Sequence, residues 1–83
     1  MFEKIRDVRA VANYILLVDF MNGERKYYDV APLFDRWPAF RELASNDMFK
    51  SVRVDVGGYG IVWNEKLDLS CSELWENGFS NYE

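Results

Sequence analysis

The chain has 83 residues, of which 49% are hydrophobic and 17% aromatic, and its formal net charge at pH 7 is −4. This length predicts one small domain over residues 1–83 and leaves no room for a second, while the apolar content suffices for a packed core. The negative charge is opposite to that of surfaces that bind nucleic acid phosphates or anionic membranes, so neither is an expected partner.

Targeting and redox signals point to the cytoplasm. Charged and apolar residues alternate in residues 1–7, unlike the continuous apolar region of a signal peptide. The longest apolar run, 14–18, has five residues, against the roughly 18 of a membrane span. The single cysteine, Cys71, excludes an internal disulfide and a cysteine cluster for zinc. We therefore expect an unprocessed cytoplasmic protein.

The first half of the chain is predicted to form an antiparallel meander of three strands. Residues 5–12 alternate weakly, as in an edge strand, whereas residues 14–20 are apolar on both faces, as in a central strand. Asn22-Gly23 is a strong hairpin signal, because both residues tolerate the positive φ angles of a type I′ turn. Residues 24–30 then return as the third strand.

Prolines mark a change from strands to short helices. Pro32 and Pro38 suit the first turn of a helix, where the missing amide hydrogen is not needed. Phe40, Leu43 and Ala44 follow with the spacing of one face of an amphipathic α-helix. The polar residues after this segment offer a cap for one further helical turn.

The next segments predict a second, smaller antiparallel β unit. Valines alternate with charged residues over 52–56, which indicates a half-buried strand, and 60–63 and 67–69 follow as two more strands. A glycine cluster lies between the first two strands, and glycine is favoured where φ is positive or another backbone comes close. The glycines assigned to this structural turn are Gly57, Gly58 and Gly60.

A C-terminal helix completes an α+β fold. Residues 70–73 have the form of a capping box, and Leu74 and Trp75 are expected to face inward. Gly78 is predicted to end the helix in the left-handed conformation, with 79–83 loosely held. The sequence thus predicts a three-stranded antiparallel meander, short helices, a second small antiparallel β unit and a C-terminal helix.

The sequence offers little catalytic chemistry. Without histidine there is no Ser-His or Cys-His pair and no imidazole ligand for a metal. No calcium-loop pattern is present, and Cys71 is predicted to be a small buried hydrophobe. The glycine-rich segment 57–60 is followed by a strand, whereas a dinucleotide-binding loop needs a helix there. We assign no catalytic, metal-ligating or cofactor-binding residue, expect no cofactor and do not expect an enzyme.

Four segments give the chain a recognisable order. They are LVDFMNGE at 17–24, YDVAPL at 28–33, FKSVRVD at 49–55, and GIVW at 60–63 with DL at 68–69. In this order and spacing they resemble the bacterial domain-of-unknown-function family 2442, over roughly residues 4–76. The resemblance implies a small α+β domain and transfers no established activity or site residues.

The resemblance also implies two kinds of setting. Some relatives join a similar domain to a helix-turn-helix DNA-binding segment, and others are encoded beside another small protein in what looks like a toxin-antitoxin pair. No residues follow Glu83 to form a DNA-binding segment, so DNA recognition by this chain alone is not expected.

The leading hypothesis is a cytoplasmic bacterial interaction module that binds another protein, for example a small basic protein encoded nearby, through sheet edges and exposed aromatic side chains. Self-association through uncovered edge strands is an alternative. Complementary charge favours a basic partner for an acidic protein. One alternative is a small-molecule-binding or enzymatic domain with a cleft near Tyr59, Trp63 and Asp68, and another is a transcription-related accessory domain. The candidate partner-binding residues are Trp37, Tyr59, Trp63 and Asp68.

Overall fold

The structure, a computed structural model, describes residues 3–80. Within this range the strands form two antiparallel sheets of three strands, in the orders β1-β2-β3 and β4-β5-β6. The α+β prediction is confirmed. The elements are β1 (Ile5–Ala12), β2 (Ile15–Phe20), β3 (Arg25–Asp29), α1 (Leu33–Arg36), a 3-10 helix (Pro38–Ala44), α2 (Asn46–Lys50), β4 (Arg53–Val54), a 3-10 turn (Val56–Gly58), β5 (Gly60–Asn64), β6 (Leu67–Ser70) and α3 (Cys71–Asn77).

The first sheet is the predicted meander with β2 at its centre. Every residue of β2 except Asp19 is buried, because the strand is paired on both sides and its apolar residues are covered on both faces. On β3, Tyr28 is buried while Arg25 and Asp29 are exposed, as the alternation of the third strand indicates. The prediction of a central strand is confirmed.

The hairpin turns of this sheet differ from the prediction. Asn13 and Tyr14 have φ angles of 47° and 66° and form a two-residue turn between β1 and β2. At the next turn Asn22 is not left-handed, and Gly23, with φ 92°, donates its N–H to the carbonyl of Phe20 at 3.0 Å. The type I′ prediction at Asn22-Gly23 is therefore wrong, because a loop of three residues needs only its last residue left-handed.

The segment after α1 is a 3-10 helix and not the predicted α-helix. Phe40 and Leu43 are buried, while Ala44 is exposed. The i, i+3 spacing fits three residues per turn, so Ala44 no longer shares the buried face.

Strand β4 is shorter than the predicted strand over 52–56. It ends at Val54, and Val56 is 91% exposed. The chain turns because Gly57 and Gly58 both have positive φ angles, of 83° and 79°, which glycine adopts without steric cost. The amide of Asp55 closes this turn on the carbonyl of Gly60 at 2.9 Å.

Helix α3 begins as predicted. The hydroxyl of Ser70 accepts the N–H of Glu73 at 3.1 Å. In a capping box the Glu73 carboxylate would also accept the backbone N–H of Ser70. Here it accepts the hydroxyl of Tyr28 instead, at 2.6 Å.

The end of α3 corrects two predictions. Gly78 is extended, with φ −78°, and not left-handed. A Cβ at this position would lie 2.5 Å from the carbonyl oxygen of Leu74 and 3.0 Å from that of Tyr27, so the last turn of α3 and, second, the approach of β3 explain the glycine. Phe79 is firmly held, because its N–H and C=O each bond the backbone of Tyr27 at 2.8 Å. Residues 81–83 of the tail lie outside the described residues.

Buried side chains of both sheets and of the helices belong to one hydrophobic core. Strand β1 links the two sheets, since it pairs with β2 and also packs against β4 and β5. The fully buried members are Ile5, Leu16, Val18, Phe20, Val30, Leu43, Ile61, Leu67, Cys71 and Leu74.

Candidate protein-interaction surface

The structure separates the four candidate residues. Tyr59 and Trp37 are 52% and 47% exposed, and Asp68 is also exposed. Trp63 is only 3% exposed, and its indole N–H donates to the carbonyl of Phe49 at 3.1 Å. Trp63 is therefore a core residue, which corrects its assignment to a binding surface and to a cleft.

Trp37 lies between α1 and the 3-10 helix. The guanidinium carbon of Arg36 is 4.8 Å from the centroid of its ring, at the distance of a cation-π contact. The ring of Phe40 also lies nearby, at 6.3 Å between centroids. Trp37 thus belongs to the helical side of the molecule.

Tyr59 and Asp68 do lie together, on the β4-β5 turn and on β6. They line one shallow depression of about 200 Å³, together with Asp55. Val56, between Asp55 and Gly57 in the chain, projects from the same turn. We call the residues Asp55, Val56, Gly57, Tyr59 and Asp68 the tip surface.

The ring of Tyr59 is held in place on the tip surface. A Cβ at Gly57 would lie 3.0 Å from two carbons of this ring, so the ring packs directly on the glycine backbone. The ammonium of Lys4 lies 4.9 Å from the ring centroid. The ring is therefore oriented between a backbone and a cation while half of the residue stays open to solvent.

The base of the tip surface is tied to the rest of the molecule. A Cβ at Gly58 would lie 2.7 Å from the carbonyl oxygen of Ile5, so the turn abuts the backbone at the start of β1. The amide of Cys71 donates to the carbonyl of Tyr59 at 2.8 Å. These contacts on two sides make the turn a supported projection.

Charge on the tip surface comes from two carboxylates. Asp55 accepts the N–H of Val56 at 2.7 Å through one oxygen, and Asp68 is exposed on β6. Within residues 3–80 neither forms an ion pair. That range also contains no group of three or more side chains suited to hold a metal, and none of its helices is long and apolar enough to cross a membrane.

A second depression, of about 230 Å³, lies between β3, α1 and α3. It contains the hydrogen bond from Tyr28 to Glu73. Burial, and then this bond, raise the pKa of Tyr28 above its ordinary value. A tyrosine that keeps its proton donates a hydrogen bond and is no general base at neutral pH, so we interpret the pair as structural.

The sequence interpretation misses Val56 as a surface residue, because it places Val56 on the buried face of a half-buried strand, with Asp55 on the exposed face. The signal that marks Val56 is the pair Gly57 and Gly58. Left-handed residues end a strand, and here they turn the last valine outward.

Comparison with known proteins gives a family and one related structure. A family model described as "Protein of unknown function (DUF2442)" matches residues 5–80. The crystal structure of "Putative DNA Binding Protein NE0471" from Nitrosomonas europaea ATCC 19718 is similar, with a TM-score of 0.69 and 24% identity. The match covers 78% of this chain and 42% of that one, so the chain spans less than half of that protein. No curated protein matches the chain.

Proposed function

The chain belongs to the family of proteins of unknown function DUF2442, and we propose that it is a bacterial, cytoplasmic protein-interaction module that binds its partner through the tip surface. The observation that carries this proposal is the exposure of Val56 and Tyr59, 91% and 52%, on one supported turn. Large apolar side chains grouped on a surface are typical of contact sites between proteins.

The dimensions of the tip surface favour a protein over a small molecule. Its depression of about 200 Å³ is smaller than the roughly 300–1,000 Å³ usual for ligand pockets. Trp63, which would complete a cleft with Tyr59 and Asp68, is buried in the core. We therefore place the small-molecule and enzymatic alternative second to protein binding.

The partner that we propose is a small protein encoded beside this one, as in a toxin-antitoxin pair. The test is affinity capture from the native host with the tagged chain. We expect a stoichiometric partner that is retained by the wild type and lost by Val56→Ser combined with Tyr59→Ala.

Met21→Ser is the matched control for this capture, because Met21 is 60% exposed on a different turn, between β2 and β3. This variant should retain the partner. Capture of no stoichiometric protein, or equal capture by the tip variant, would contradict the proposal.

A transcription-related accessory role is the second candidate, favoured by the related structure that carries the name of a putative DNA-binding protein. The net charge of −4 opposes direct contact with phosphates. The test is retention of duplex DNA at 50 mM and 200 mM salt. Retention that falls steeply with salt supports this role, and no retention at the lower salt excludes direct DNA binding by this chain.

A further inference from the structure

We infer that the partner presents an apolar pocket with lysine or arginine side chains on its rim. Val56 and Tyr59 enter the pocket, and the carboxylates of Asp55 and Asp68 meet the rim. This inference rests on the proposed function, because it specifies the partner of the same surface.

The first argument is the conflict between pattern and position at Val56. The residue continues an apolar alternation that is typical of a buried strand face, yet it is 91% exposed. Strand β4 ends at Val54, only two residues before Val56. The left-handed glycines Gly57 and Gly58 then turn the chain, so the side chain of Val56 faces outward. Local patterns that disagree with the fold are expected at functional or strained positions, and Val56 leaves a large apolar side chain in solvent there. We assign Val56 as the apolar anchor of the contact.

The second argument is the fixed orientation of Tyr59. Its ring lies against Gly57 and beneath Lys4, so little side-chain freedom is lost when a partner covers it. Tyrosine is enriched among the residues that dominate binding energy, and a preformed orientation strengthens binding by lowering the entropic cost. A rigid projection of this kind fits a concave partner.

The third argument is charge. Asp55 and Asp68 lie beside the apolar anchors and have no ion-pair partner within the described part of the chain, while the ammonium of Lys4 lies over the Tyr59 ring. The whole chain carries a charge of −4. Like charges disfavour a second copy of this protein at the same surface, whereas opposite charges on a partner attract it. The occupant is therefore a basic protein.

The test uses the protein that the wild-type chain retains in stoichiometric amount, purified and titrated by calorimetry at 50 mM and 300 mM salt. We expect Val56→Ser and Tyr59→Ala each to raise the Kd about tenfold or more, while the salt dependence stays as in the wild type. Asp55→Asn with Asp68→Asn should mainly flatten the salt dependence, because it removes the charges that attract the rim.

Glu65→Gln is the control for the charge variants, because Glu65 is an exposed carboxylate in the turn between β5 and β6, away from the tip. It should bind as the wild type does. Variants are compared only when their melting temperatures stay within a few degrees of the wild type, since tip residues lie in an exposed turn.

Several results would overturn the inference. If the partner is acidic, it has no basic rim. If Asp55→Asn with Asp68→Asn keeps the full salt dependence of binding, these carboxylates do not meet basic side chains of the partner. A stable dimer of this chain that Tyr59→Ala dissociates makes a second copy the occupant. A partner lost only by Trp37→Ala leaves an interaction module that uses another surface. If no partner is captured at all, the proposed function fails together with the inference.

Discussion

Tyr28 and Glu73 link β3 to α3 through a hydrogen bond of 2.6 Å. Tyr28→Phe removes the hydroxyl that donates this bond and leaves the half-buried carboxylate of Glu73 without that donor. We expect the free energy of unfolding to fall by about 1.5 kcal/mol, as for hydrogen bonds to charged groups. Urea denaturation at pH 8 measures the loss, and no change would show that water replaces the hydroxyl at no cost.

The same pair predicts a dependence on alkaline pH. The pKa of Tyr28 is raised above its ordinary value of 10.0, first by burial and then by the bond to Glu73. The folded protein thus keeps a proton that the unfolded chain has lost, so this contribution is complete below pH 10 and declines above it. The stability advantage over Tyr28→Phe should be constant from pH 7 to 9 and shrink toward pH 11. An equal advantage at pH 8 and pH 11 contradicts the assignment.

Comparison of Gly58 with Gly23 measures how much the close contact between Gly58 and the backbone of Ile5 adds to the loss of stability on substitution by alanine. Both are left-handed, with φ of 79° and 92°, and an alanine pays roughly 1–2 kcal/mol for that conformation. A Cβ at Gly58 also meets the carbonyl oxygen of Ile5 at 2.7 Å, whereas nothing lies within 4 Å of one at Gly23. We expect Gly58→Ala to lower the melting temperature at least twice as much as Gly23→Ala. Equal losses of melting temperature in the two variants would mean that β1 shifts away from the new methyl group at no energetic cost.

At the scale of elements, two serines precede helices in different ways. Ser70 accepts the N–H of Glu73, while Ser45 precedes α2 without a capping hydrogen bond from its side chain. Ser70→Ala should cost about 1 kcal/mol of unfolding free energy and Ser45→Ala close to none. Chemical denaturation of both variants checks this, and similar losses would mean that the Ser70 bond is not what stabilises α3.

The elements that the sequence predicts well are those decided by local patterns. The central strand over 15–20, the strand over 60–64 and the cap at Ser70 follow from apolar runs, glycine punctuation and capping chemistry. The pair Asn13 and Tyr14 is missed as a turn, because a left-handed tyrosine is not favoured locally. Its hydroxyl bonds the carbonyl of Ala44 at 2.8 Å, a contact distant in the chain.

The candidate surface was also predictable only in part, because local patterns do not show contacts between residues that are distant in the chain. Tyr59 follows from its place beside glycines, and Asp68 from its place between two leucines. The burial of Trp63 depends on the rings of Phe40 and Phe49, which come from other elements and make no local pattern with it.

At the scale of the whole molecule, we propose that residues 1–83 unfold as one domain, because both sheets contribute to one core. Ile5 in β1 and Ile61 in β5 are fully buried and chemically identical probes of the two sheets. Ile5→Val and Ile61→Val should each lower the unfolding free energy by about 0.5–1.5 kcal/mol and shift the same single transition. Tryptophan fluorescence and circular dichroism record it, and two separate transitions would contradict one domain.

The reactivity of Cys71 can report local opening of this protein near the tip surface. Its side chain is buried at the start of α3, and its backbone N–H bonds the carbonyl of Tyr59 at the base of the tip surface. A thiol reagent reaches the buried sulfur only when the structure around it opens, so the rate of labelling under native conditions reports how often such opening occurs. Because the junction between Cys71 and Tyr59 adjoins the tip surface, we expect a partner seated on the tip to slow that rate, so the labelling of Cys71 reports how much of the surface is occupied.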